Sequence, residues 1–152
     1  MKENYIYREN YMNKLLSLKD KHIIKVITGI RRCGKSTILS QYQKYLLDSG
    51  ISQKNIISIN FEDNNFKELL DYNKLHDYIL DNTDPSKINY VFLDEIPNVS
   101  SFEKCVDSLF LRDYLDIYLT GSNSYMLSGE LATYLTGRYI QIHVLPLSFK
   151  EY

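Results

Sequence analysis

The chain has 152 residues, of which 44% are hydrophobic and 24% charged, with a formal net charge of -1. This balance fits one compact domain with a full-sized core and excludes a disordered chain. A near-neutral charge exerts no general pull on nucleic acid, and no long run of Lys or Arg supplies a local one. Two cysteines, Cys33 and Cys105, cannot make a disulfide framework and point to a reducing compartment. The opening MKENYIYREN is polar, without the apolar centre of a signal peptide, and no apolar stretch reaches bilayer-spanning length. The expected location is the cytoplasm, with no membrane partner.

Residues 3–18 read as a polar helical lead-in, with Tyr7, Tyr11, Leu15 and Leu18 on one stripe. HIIKVIT (22–28) is a short β-branched run suited to a strand buried on both faces. A glycine-bearing turn follows, then a helix from 35 to 47 that Asp48, Ser49 and Gly50 end. NIISINF (55–61) is a second strand, and 66–80 carries Leu69, Leu70, Leu75, Tyr78 and Ile79 at helical spacing. INYVFLDE (88–95) is a third strand, followed by a helix over 101–110 and a fourth strand over 116–121. A helix over 124–135 leads to a fifth strand, RYIQIHV (138–144). Strand and helix in alternation predict an α/β fold, a parallel sheet with helices on both faces. The last residues, PLSFKEY, stop without a turn or cap, which fits a chain cut before a further segment or a short natural C-terminus.

Gly29-Ile30-Arg31-Arg32-Cys33-Gly34-Lys35-Ser36 matches G-x-x-x-x-G-K-[ST] and sits between an apolar strand and an amphipathic helix. Such a loop wraps a pyrophosphate with successive backbone N–H groups, and Gly29 and Gly34 allow an approach that a Cβ would block. The helix beginning there adds unpaired N–H groups and its positive dipole end. Lys35 would reach the β- and γ-phosphates, the Ser36 hydroxyl would bind Mg²⁺, and Thr37 would touch the α-phosphate. Arg31 and Arg32 read either as phosphate or subunit contacts or as solvated loop residues. Cys33 reads as a small filler.

Tyr90-Val91-Phe92-Leu93-Asp94-Glu95 pushes two acids out of the C-terminal end of a buried strand, where open α/β sheets bind ligands. Asp94 is the candidate Mg²⁺ ligand, largely through water, and Glu95 the candidate base for a water attacking the γ-phosphate. The fourth strand ends in Thr120-Gly121-Ser122-Asn123, where Ser122 or Asn123 could sense the γ-phosphate or serve a turn only. Arg138 reads as an arginine finger, in cis or in trans, or as a salt-bridged residue at the start of a strand. Asn73-Lys74-Leu75-His76 lacks the Asp of a guanine-reading motif, and Leu127-Ser128-Gly129-Glu130 lies on the wrong side of the acidic strand for a transporter signature. The spacing of His22, His76 and His143 is not that of metal ligands.

G-I-R-R-C-G-K-S-T, I-N-F-E-D (59–63), Y-V-F-L-D-E-I, L-T-G-S-N-S and L-T-G-R-Y…L-P-L-S-F-K-E-Y, in that order, closely resemble a group of AAA-type ATPases. In these bacterial and archaeal proteins an N-terminal P-loop domain precedes a C-terminal domain of uncertain role. The resemblance covers essentially the whole chain. It implies a lead-in over 1–21, an ATPase domain over 22–152 with a five-stranded parallel sheet in the order 5-1-4-3-2, and a C-terminal domain beyond. By matching position it implies Lys35 and Ser36 as phosphate and Mg²⁺ contacts, Asp94 and Glu95 as Walker B acids, Ser122 or Asn123 as sensor, and Arg138 as the arginine of G-R-Y. The expected activity is Mg-dependent ATP hydrolysis that drives conformational change in an attached or partner domain, in a chain that could form a homo-oligomer. A nucleotide-gated switch with little turnover and a P-loop kinase for a small acceptor are the competing expectations; Glu95→Gln separates the first, and phosphate release without acceptor the second.

Overall fold

A computed structural model describes residues 9–29, 34–121 and 137–144. Five strands, β1 (Ile24–Thr28), β2 (Ile56–Asn60), β3 (Asn89–Asp94), β4 (Leu115–Gly121) and β5 (Tyr139–His143), make one sheet in the order β2-β3-β4-β1-β5. Every pairing is parallel, and the order is the expected 5-1-4-3-2 read from the other edge. The three central strands are buried along their whole length, as their continuous apolar runs require. Edge strand β2 alternates toward solvent through Ser58 and Asn60.

Side chains alternate across the sheet, so each strand feeds two cores. Ile24, Val26, Val91, Leu93, Ile117 and Leu119 face α3 (Tyr72–Asp81) and α4 (Phe102–Phe110), which contribute Leu75, Ile79, Val106 and Leu109. Ile27, Tyr90, Phe92 and Tyr118 face α1 (Glu9–Leu18) and α2 (Lys35–Asp48), which contribute Leu15, Ile38, Leu39, Tyr42 and Leu46. Of the stripe expected on α1, Leu15 is buried, Tyr11 and Leu18 pack beside it, and Tyr7 lies outside the described residues. The phenyl ring of Phe92 stacks on Tyr118 at 4.8 Å, and the hydroxyls of Tyr42 and Tyr118 meet at 2.8 Å. At the N-terminal end of this same face lies a buried ion pair, Lys25 Nζ to Asp116 Oδ1 at 2.5 Å. Lys25 also donates to the Lys21 carbonyl, and Asp116 Oδ2 accepts from the Asp20 N–H and the Tyr118 hydroxyl. Burial pushes the Asp116 carboxyl up and the Lys25 ammonium down, each opposed by the partner's charge.

Strand ends shift by one or two residues from expectation, and three differences have local reasons. The helix expected over 66–80 divides into a 3-10 segment, Asn64–Leu70, and α3. Asp71 interrupts it, because its carboxylate caps the N–H groups of Asn73 and Lys74 and its backbone is extended, bridging to Ser100. Strand β3 stops at Asp94 because Glu95 turns into the left-handed region at φ 59°. Arg138 lies just before β5 rather than in it. The helix expected over 124–135 falls outside the described residues. Among the described residues no helix is long and apolar enough to cross a membrane.

Candidate functional site

Parallel strands bring their C-terminal ends to one edge, and β1, β3 and β4 are adjacent there. Chain leaving β1 passes through Gly29, and α2 opens at Gly34, whose φ of 102° favours a residue without a Cβ. The N-cap is Gly34, which has no side chain to cap the helix, and the positive dipole end of α2 faces this edge of the sheet. A helix N-terminus in that condition suits an anion.

Lys35, only 4% exposed, turns its ammonium back toward the end of β1. It donates to the Gly29 carbonyl at 2.6 Å and lies 3.6 Å from Glu95 Oε2. Ser36, one residue on, donates from Oγ to Asp94 Oδ2 at 2.6 Å. Residues 58 positions apart are thus in direct contact, because period-2 alternation along β3 aims Asp94 at the α2 face. Thr37 is exposed in the same helical turn. Half-buried Glu95 is held above the ordinary glutamate range chiefly by burial, with Asp94 and Glu62 adding to the rise and Lys35 opposing it.

The structure therefore brings together Gly29, Gly34, Lys35, Ser36, Thr37, Asp94 and Glu95. Ile30, Arg31, Arg32, Cys33, Ser122 and Asn123 lie outside the described residues. Arg138 is placed elsewhere. Its carbonyl accepts the Ile24 N–H at the start of β1, and its guanidinium pairs with Asp107 on α4. That position is at the N-terminal edge of the sheet, opposite the edge that carries Lys35, and the pair with Asp107 fits the reading of a salt-bridged residue at the start of a strand. The histidines have packing roles: His22 stacks on Phe110 at 4.1 Å, and His76 meets Ser108 at 2.9 Å. His143 Nδ1 meets the Thr28 hydroxyl at 3.2 Å, beside the start of the loop.

One contact was not foreseen. Thr120 Oγ1 donates to Asp94 Oδ1 at 2.5 Å and accepts the Glu95 N–H at 2.8 Å. The sequence signal is that Thr120 shares the period-2 face of Asp116 and Tyr118, two and three positions before the polar residues Ser122 and Asn123.

A hard divalent cation such as Mg²⁺ fits these donors. Ser36 offers a hydroxyl and Asp94 a carboxylate oxygen, and no cluster of three His, Cys, Asp or Glu exists among the described residues. Mg²⁺ commonly takes one or two protein oxygens and fills its remaining positions with water and phosphate.

A family model described as an AAA domain matches residues 21–152. An uncharacterized protein of Haemophilus influenzae is 44% identical over 153 residues, covering 100% of this chain and 38% of that one. The uncharacterized protein MJ1544 of Methanocaldococcus jannaschii is 36% identical over 130 residues, covering 85% of this chain and 28% of that one. The chain thus spans well under half the length of these relatives. Among solved structures, C. elegans PCH-2 superposes with a TM-score of 0.61 at 20% identity, covering 93% of this chain and 44% of that one. A DNA polymerase III gamma subunit-related protein of Thermotoga maritima gives 0.64 at 12% identity, covering 91% and 47%. Identities this low speak for the fold alone.

Proposed function

The chain belongs to the AAA-type P-loop ATPase family, and from that premise we propose that it binds Mg-ATP and hydrolyses the γ-phosphate bond, its conformational cycle acting on an attached or partner domain. The observation that carries this is the contact of Ser36 with Asp94 at 2.6 Å, beside Lys35 and Glu95. Two donors on different elements, each suited to one side of a cation, meet at the N-terminus of α2.

The triphosphate would lie over the N-terminus of α2, with the first-turn N–H groups and Lys35 balancing its charge. Binding exchanges the Lys35 contacts to Gly29 and Glu95 for phosphate oxygens, which leaves Glu95 free to take the proton of an attacking water. Ser36 and Asp94 would hold Mg²⁺, which when bound neutralises charge on the β- and γ-phosphate oxygens. A burial-raised Glu95 carboxyl suits proton abstraction near neutral pH better than an ordinary glutamate does. Arg138, exposed at the far edge of the sheet and paired with Asp107, serves the strand entry or a neighbouring copy's site.

A nucleotide-gated switch with little turnover is the second reading. It is favoured by the Lys35–Glu95 pair, which ties the base to the phosphate-binding cation. Phosphate release by the chain and by Glu95→Gln decides between them. Hydrolysis predicts release that Glu95→Gln abolishes while ATP still binds; a switch predicts tight ATP binding and equal, negligible release from both.

A further inference from the structure

Both oxygens of the Asp94 carboxylate are occupied, but by groups of different exposure. Oδ2 accepts from Ser36, which is exposed in the first turn of α2. Oδ1 accepts at 2.5 Å from Thr120, which is fully buried on the central strand β4. The same Thr120 oxygen receives the Glu95 N–H at 2.8 Å. Glu95 follows β3 in the left-handed region, at φ 59° and ψ 45°, a conformation that non-glycine residues hold only where the surroundings impose it. Without the Thr120 hydroxyl, that N–H would lose its acceptor and the Asp94 carboxylate would keep only the exposed Ser36 as a partner.

We propose that Thr120 is the positioning residue for both acids, orienting Asp94 so that Oδ2 faces the cation and fixing the turn that aims Glu95 at Lys35. The inference rests on the Mg-ATP reading above. A hydroxyl that donates to the Asp94 carboxylate while accepting from the Glu95 backbone fixes one acid's side chain and the turn that carries the other. The arrangement has the logic of outer-shell partners at metal sites, where an oriented first ligand is worth more than a free one. A methyl in place of the hydroxyl preserves shape and β-branching but removes both bonds at once, so Thr120→Val isolates the effect. Thr120→Ser restores the oxygen.

The test is the Mg²⁺ dependence of ATP binding, followed by calorimetry at stepped Mg²⁺ concentrations, with ATP binding in EDTA and far-UV circular dichroism as controls. Thr120→Val is expected to need about tenfold or more Mg²⁺ for half-saturation, and Thr120→Ser to stay within about threefold of the parent. ATP affinity in EDTA stays unchanged in both. If Thr120→Val fails to fold, Thr120→Ala takes its place with the same expectation. Parental Mg²⁺ dependence in Thr120→Val overturns the inference, as does a serine variant as impaired as the valine one. Loss of ATP binding in Lys35→Ala shows that the nucleotide reading holds independently; binding indifferent to Lys35 sinks that reading and the Thr120 inference with it.

Discussion

Lys25→Met removes the ammonium from a pair whose two side chains are 0% and 2% exposed. Deleting one partner of a buried pair costs about 3–5 kcal/mol, because the remaining charge stays desolvated. Asp116 keeps the Asp20 N–H and the Tyr118 hydroxyl, which places the expected loss near the lower end, about 3 kcal/mol. With a urea slope of about 2 kcal/mol/M, the unfolding midpoint falls by roughly 1.5 M. The chain has no Trp, so far-UV circular dichroism is the suitable probe. The loss also depends on pH. Burial already raises the folded-state pKa of Asp116, and Lys25 opposes that rise. In the variant the folded state therefore holds a proton at pH values where the unfolded carboxyl, near 3.9, has lost it. Stability is fully present below that unfolded value and drains as pH rises through the folded one, by up to about 1.4 kcal/mol per pH unit. The deficit thus grows as pH rises above the unfolded value, and adding Asp116→Asn recovers part of it. A single variant within about 0.5 kcal/mol of the parent at pH 8 would refute the reasoning.

Glu95 should set the acid limb of kcat/KM, which reports the free protein. Its carboxyl is raised by burial, so the rate is lost as pH falls through a value above the usual glutamate figure of about 4.3, a limb that Glu95→Gln abolishes together with turnover. Arg138→Ala breaks an exposed ion pair with Asp107, so urea unfolding should move by less than about 1 kcal/mol. Its ATP affinity should match the parent's, and a large loss would return Arg138 to this chain's own site. Tyr42→Phe removes the hydroxyl contact to Tyr118 inside the α2 core and should cost about 1 kcal/mol by the same unfolding assay.

The strands, their alternation with helices and the turn after β1 were legible because they rest on local patterns of apolar runs and glycine spacing, whereas the sheet order came only with the resemblance to AAA-type ATPases. The break at Asp71 was not, since the apolar spacing of 66–80 continues across it; only a side chain turned back onto its own backbone stops the helix. Lys25 was hidden within an apolar run, because a charge in a central strand is tolerable only with a partner 91 residues away. The same holds for Thr120, whose role exists only once β3 and β4 are adjacent, and for Arg138, whose distance from Lys35 follows from parallel pairing rather than from its motif. Contacts made by topology, at long sequence separation, leave little trace in a local pattern.

Calorimetric titration of the chain with Mg-ATP, beside Lys35→Ala and with GTP as a control, tests the central claim most directly. The account predicts saturable one-to-one ATP binding that weakens about 10- to 100-fold when the charged donor is removed, the span of one charge-assisted contact. ATP binding of equal strength in the parent and in Lys35→Ala would contradict it.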